Sequence, residues 1–327
     1  MKNFFFLVIL LIYTLYSPFT LSQGNPIEID ITKGKIELIP IALPEIKGIS
    51  KKEKEIGKLI TQVIINDLSN SGLFKDLPRS AYLQPSEEAF LQPLFKDWRI
   101  IDAHILISGK ISITNNEITL PLKLWDVYGE SLMVSKEISG VNSSYWRTVA
   151  HIVSNLVYER VTGEKGYFDT KIAYIAESGY GKDKVKRLAI MDQDGENHKF
   201  LTNGKNLVLT PRFSPIKQEL VYLSFAKKIP SVYIYNLESG KNSLLGKFSG
   251  MSFAPRYAPD GERIVFSISE EGNTNIFLMN IKSGSLDRVT SHRSINTSAS
   301  FSPNGKELVF SSDRAGKQNL YIKNLKN

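Results

Sequence analysis

The sequence contains no cysteine. Disulfides, Cys-ligated zinc, iron–sulfur clusters, thiolate nucleophiles and a lipidated N-terminal cysteine are thereby excluded. Histidine is scarce: His104, His151, His198 and His292 stand alone, none with a second histidine at helical spacing, so neither a metal site nor a cofactor is expected. A phosphate-cradling glycine loop followed by Lys-Ser/Thr is missing. So is the Gly-x-Ser-x-Gly elbow of many hydrolases; Gly250-Met-Ser-Phe-Ala254 comes nearest and lacks the last glycine. These absences argue against an enzyme. No dense Lys/Arg run or RNA-reading motif occurs, so nucleic acid is not an expected partner. The apolar run at the start, thirteen residues from Phe4 to Tyr16, is shorter than the roughly 20 a membrane span needs. Pro18 and the small residues of Thr20-Leu21-Ser22 follow it, the pattern of a secretory signal over residues 1–22 cleaved between Ser22 and Gln23. An uncleaved anchor is the alternative. The expected product is exported and carries no stable membrane insertion.

What is present fits two domains: 327 residues, 42% hydrophobic and 23% charged, are enough for two ordinary cores. Charge is uneven, with 17 basic against 18 acidic residues from Gln23 to Lys165 and 23 against 15 from Gly166 to Asn327. The second half would steer an acidic partner, or simply be a solvated basic surface. In the first half, Ile27, Ile29 and Ile31 alternate with Glu28 and Asp30, and Ile36 to Leu43 reads as a second extended stretch. The spacing of Ile56, Leu59, Ile60, Val63, Ile64 and Leu68 predicts a helix over Lys51–Ser71, stopped by Gly72. A helix over Ser86–Trp98, interrupted near Pro93, precedes strands over Ile105–Ile113, Glu117–Trp125 and Leu132–Ile138. The last helix runs from Ser144 to Thr162, capped by Ser143 or Ser144 and stopped by Gly163. This is an α/β domain, assigned to residues 23–165.

The second half repeats. Pro211-Arg-Phe-Ser-Pro215 recurs as Pro255-Arg-Tyr-Ala-Pro259 and, shifted at its start, as Ala299-Ser-Phe-Ser-Pro303. Phe213, Tyr257 and Phe301 are 44 residues apart, and so are Val221, Val265 and Val309. A less regular copy spans Lys171 to Gly204. Asp192-Gln-Asp-Gly195-Glu-Asn197 there looks like the start of a calcium loop, but the downstream bidentate Glu is lacking and an Asx turn is expected. Turns at Pro259-Asp-Gly261, Pro303-Asn-Gly305 and Ser283-Gly284 separate short β-rich runs. Four strands per 44 residues is the blade of an all-β propeller, assigned to residues 166–327; a β-solenoid normally repeats over fewer residues.

Ser302-Pro-Asn-Gly-Lys-Glu-Leu-Val-Phe-Ser-Ser-Asp-Arg-Ala-Gly316 resembles the blades of the TolB family. In the first half, Asp67-Leu-Ser-Asn-Ser-Gly-Leu-Phe74, Trp98-Arg-Ile-Ile-Asp-Ala103, Trp125-Asp126 and Trp146-Arg147 are similar to that family's N-terminal domain. Thr162-Gly-Glu-Lys-Gly-Tyr-Phe-Asp-Thr-Lys-Ile-Ala-Tyr174 extends the likeness across the junction. The resemblance implies a non-catalytic periplasmic adaptor of the Tol–Pal envelope system, supporting outer-membrane integrity and cell division. It implies that the lipoprotein Pal binds the loops entering each innermost strand, which here are Thr210, Pro211, Arg212, Met251, Ser252, Phe253, Arg256, Asn296, Thr297 and Ser298. TolA would bind the mature N-terminus, including Ile27, Glu28, Ile29, Asp30 and Ile31, by strand addition; the same residues suit packing on the protein's own first domain. Other envelope proteins are further possible partners. Propellers of the family have six blades, against about four legible here, so a truncated or nonfunctional gene product, or a tight four-bladed ring, is also consistent. A propeller that binds carbohydrate or peptide is the alternative function.

Overall fold

The computed structural model describes residues 37–325 apart from Lys228. The expected signal peptide, the Ser22–Gln23 cleavage point and the segment Ile27–Ile31 lie outside the described residues.

The first unit is built on β1 (Ile39–Ala42), α1 (Lys51–Asn70), β2 (Phe74–Asp76), α2 (Ser86–Leu91), α3 (Phe95–Ile100), β3 (Ile105–Gly109), β4 (Ser112–Thr114), β5 (Glu117–Asp126), β6 (Ser131–Asn142) and α4 (Trp146–Thr162). Its sheet runs β2-β1-β3-β5-β4, with β6 also on β5. β1 pairs in parallel with β2 and β3, and the other ladders are antiparallel. Helices α1 and α4 lie together on one face. There the predicted stripe of α1, except Leu59, which faces outward and is exposed, meets Ile107, Leu120, Leu122 and Leu124 from the sheet and Val149, Val153 and Val157 from α4, all within one buried cluster.

The start of α1 is held by a reciprocal cap. Ser50 Oγ accepts from the Glu53 amide, and the Glu53 carboxylate accepts from the Ser50 amide at 2.8 Å. The same carboxylate accepts from Ile49 at 2.9 Å and, across the unit, from Ile113 at 2.8 Å. Those amide donors hold the Glu53 carboxyl at about 2, below the ordinary 4.5. A Cβ on Gly57 would lie 2.0 Å from the Ile46 carbonyl, so glycine here lets the helix seat directly on the preceding loop.

Three sequence expectations shift. The helix over Ser86–Trp98 is two helices, because Pro93 lacks an amide and drives Gln92 to extended backbone (φ −148°). The strand over Ile105–Ile113 breaks after Gly109, and the Ile111 amide leaves the ladder to bond Lys47 at 3.2 Å. The last helix is capped by neither Ser143 nor Ser144. Asn142 accepts from the Ser144 amide at 3.0 Å and opens a 3-10 turn over Ser143–Tyr145 before α4 begins. Gly163 ends α4 at φ +77°, as expected.

The rest is a series of meandering sheets. They are β7 (Lys171–Ser178), β8 (Val185–Asp192) and β9 (Lys199–Phe200); β10 (Val208–Phe213), β11 (Glu219–Ser224), β12 (Ser231–Asn236) and β13 (Asn242–Leu244); β14 (Met251–Tyr257), β15 (Arg263–Glu270), β16 (Asn273–Asn280) and β17 (Leu286–Arg288); and β18 (Asn296–Phe301), β19 (Glu307–Ser312) and β20 (Asn319–Asn324). The first strand of each sheet lies against the first strand of the next, β7 on β10, β10 on β14 and β14 on β18. That convergence is the radial arrangement of propeller blades.

Middle strands explain the packing. Leu220 and Tyr222 of β11 face the preceding sheet with Leu188, while Val221 between them faces the next. One repeat later, Ile264 and Phe266 join Val221, and Val265 faces Leu308 and Phe310. The middle strands β11 and β15 are thus buried on both faces, which is why these runs are apolar without alternation, whereas in β19 of the last sheet Leu308 and Phe310 are buried and Val309 is exposed. Gly261 turns at φ +65°, and a Cβ on it would meet Ile216 of the neighbouring blade at 2.3 Å. The acidic Asp192–Asn197 segment is a hairpin turn: Gly195 donates to the Asp192 carbonyl at 3.0 Å, and the Asp192 carboxylate is taken by Lys171 and Asn197. Among the described residues, no helix is long and apolar enough to cross a membrane.

Candidate functional site: the inner strands and their bulges

Three of the four inner strands, β10, β14 and β18, carry an irregularity at one place, while β7 pairs with β8 without one. Register slips between Leu209 and Arg212, between Phe253 and Arg256, and between Thr297 and Ser300. At these bulges Thr210, Ala254 and Ser298 sit at φ +49°, +51° and +57°. They are 44 residues apart, so the strain repeats with the blade. A non-glycine residue held in the left-handed region costs on the order of 1–3 kcal/mol and persists where its surroundings over-determine it. The anchor here is the following residue, Pro211, Pro255 or Ala299, each buried. The two prolines also leave no orphan amide in the broken ladder.

The bulges sort the ten residues assigned from the sequence. Thr210, Arg212, Met251 and Ser298 are exposed, and Phe253, Arg256 and Thr297 are half-buried. Pro211, Ser252 and Asn296 are buried. Ser252 Oγ accepts from the Val232 amide at 3.2 Å, tying one blade to the next. Asn296 donates to the Thr274 carbonyl at 3.0 Å and accepts from Arg314 at 2.9 Å, doing the same one blade later.

Arg212 and Arg256 do not group with Met251 and Ser298. They line a cavity of about 390 Å³ at the other end of the inner strands, with Phe213, Tyr257, Phe301 and Pro303. Among the described residues neither arginine has a carboxylate partner; Arg212 donates to its neighbour's carbonyl at 2.8 Å. The Tyr257 hydroxyl is buried without a hydrogen-bond partner among the described residues, and burial, helped by the nearby Glu219 charge, pushes its pKa up. The sequence showed Phe213, Tyr257 and Phe301 as markers of the repeat. Their 44-residue register was also the signal that they share one site around an axis.

A second grouping joins the two units. Asp67 of α1, His151 and Arg147 of α4, and Asp194 of the β8–β9 turn converge although they are distant in sequence. His151, which stands alone in the sequence, is not alone in the structure.

An α/β unit followed by converging blades, with a repeated surface along the inner strands, defines the propeller-bearing class of two-part proteins. Comparison with known proteins identifies the family. The model of the TolB beta propeller domain matches residues 158–327 and that of the TolB amino-terminal domain matches residues 27–133. The chain belongs to the TolB family. It is 47% identical over 228 residues to a protein of Paramagnetospirillum magneticum named Tol-Pal system protein TolB, covering 69% of this chain and 51% of the relative. To the protein of that name from Pelagibacter ubique it is 42% identical over 236 residues, covering 69% and 53%. The chain therefore spans about half the length of these curated relatives. The crystal structure of TolB from Acinetobacter baumannii superposes with a TM-score of 0.77 at 27% identity, covering 89% of this chain and 70% of that one.

Proposed function

We propose that this protein is a non-catalytic adaptor of a Tol–Pal system, exported to the periplasm, where it supports outer-membrane integrity and cell division. It captures the lipoprotein Pal on the inner-strand surface of its propeller and engages TolA through the segment containing Ile27–Ile31. Two differently folded units matching one family in the same order support the Tol–Pal role. One observation supports the Pal reading: three blades repeat the same bulge, so exposed side chains such as Thr210 and Ser298 recur around one axis, and the same inner strands carry at their other end two arginines that have no carboxylate partner among the described residues. Weak contacts from successive blades add up in such an arrangement, and the unpaired guanidiniums favour an acidic contact.

Capture by immobilised Pal tests this. The Arg212→Glu, Arg256→Glu double variant should lose about tenfold or more in affinity, the scale of two charge-assisted contacts. Unchanged capture would remove the inner-strand surface from the Pal reading. Binding to a glycan array in place of Pal would move the function to carbohydrate recognition.

A further inference from the structure

We propose that the cleft between the first two propeller sheets, β7–β9 and β10–β13, is a binding site for an uncharged pyranose ring. The inference does not rest on the Pal reading, because the cleft shares no residue with the loops or the arginines invoked there.

The molecule carries an occupied version of this cleft one junction later. Between β10–β13 and β14–β17 the ring of Phe248 lies over Phe266, with 4.9 Å between centroids, and packs on the cluster that holds Ile268 and Met279. Room for it comes from Gly246, where a Cβ would stand 2.6 Å from the Phe248 ring. At the first junction, 44 residues earlier, the positions of Gly246 and Phe248 are Thr202 and Gly204. With no ring inserted, a cavity of about 380 Å³ stays open beside Tyr222, a size in the range of small-molecule sites.

The lining changes too. The face of β14–β17 that meets Phe248 carries Phe266, Ile268 and Met279, with Leu286 paired to Met279. In the same register, β10–β13 presents Tyr222, Ser224 and Tyr235, with Asn242 paired to Tyr235. Apolar groups have given way to hydroxyls and an amide at every one of these positions. Thr202, Asn203 and Asn206 line the cavity as well, and no charged side chain does. In a cleft closed only by protein such a set would be a liability, since polar groups buried without partners cost free energy.

These groups are disposed to bond a guest. Ser224 Oγ accepts from the Ala226 amide at 3.2 Å and Thr202 Oγ1 from the Leu188 amide at 2.9 Å, so each hydroxyl keeps its proton to donate. Asn203 Oδ1 accepts from the Lys205 amide at 3.0 Å, and its amide nitrogen remains a donor. A phenyl ring would satisfy none of them, and an anion would find no counter-charge. A six-membered ring bearing hydroxyls meets both the shape that Phe248 fills and the polarity of the lining. Tyrosine suits it on both counts, with an apolar body and a polar tip.

Titration calorimetry of the full chain with N-acetylglucosamine and, separately, with maltose tests the site. Binding of either, with a dissociation constant of about 1–10 mM, supports it. Writing the next blade's face into this one, Ser224→Ile with Tyr235→Met and Asn242→Leu, should weaken binding at least about tenfold. Tyr235→Phe alone keeps the packing, should weaken binding about threefold, and serves if the triple variant does not fold. Phe248→Ala opens the apolar cleft and should add no second sugar site. No binding of either sugar up to about 50 mM, or affinity unchanged in both the triple variant and Tyr235→Phe, would overturn the proposal. So would a second sugar bound by Phe248→Ala, since room alone would then suffice. None of these variants alters Arg212 or Arg256, so the outcome is read apart from the Pal test.

Discussion

The two units bury their apolar residues in opposite ways. In the α/β unit one large cluster runs from Ile41 through α1 and the sheet to Val157 and Phe168, joining both long helices to the sheet, and a smaller one around Ala89, Trp98 and Leu106 lies under α2 and α3. Among the blades the interior is divided into small clusters, each belonging to two adjacent sheets. The first arrangement is all-or-none. The second is close to one-dimensional, with nearest-neighbour interfaces adding along the chain.

Core truncations should break this comparison if it is wrong. Ile60→Ala and Phe266→Ala each empty a fully buried position and should destabilise by about 4 kcal/mol in denaturant unfolding. Their footprints should differ. By hydrogen exchange, Ile60→Ala should expose α1, α4 and the mixed sheet together, whereas Phe266→Ala should act on the β10–β13 and β14–β17 blades and spare α1. Faster exchange of α1 in Phe266→Ala would mean that the chain unfolds as one unit.

A smaller effect sharpens the contrast through pH. Glu53→Ala orphans the amides of Ile49, Ser50 and Ile113 and should cost the α/β unit about 3 kcal/mol at neutral pH. Because the folded carboxyl lies at about 2 against the ordinary 4.5, this stabilisation is complete above about 4.5 and is lost as pH falls through about 2. The gap between wild type and variant should close over that window. A constant gap would show that the side chain acts by packing. The smallest effect belongs to the blades: Thr210→Gly relieves a positive φ of +49° and should raise stability by about 1 kcal/mol. No gain in the denaturation midpoint would mean that the Thr210 side chain offsets the strain.

Legibility followed the range of the physics. Helix α1 was readable from Ile56 to Gly72 because its stripe and its stop are local. The blades were readable because Phe213, Tyr257 and Phe301 repeat at a fixed interval. The bulges were not, since Thr210, Ala254 and Ser298 are not glycines and nothing beside them announces a positive φ. Nor was the Asp67–His151–Asp194 cluster, whose members come from two helices and a distant turn. The inner-strand surface was half readable. The repeat located its residues, but only three dimensions separate Met251 and Ser298, at the surface, from Ser252 and Asn296, which fasten blades to each other.

The doubly buried middle strands also constrain how such a chain can evolve. Inserting one residue into β15 would exchange the neighbours of Ile264, Val265 and Phe266 and mismatch two interfaces at once. Adding or removing a whole 44-residue copy would leave each surviving face opposite a surface shaped for it. Lineages of this architecture are therefore free to change in increments of one entire repeat and are penalised for anything smaller.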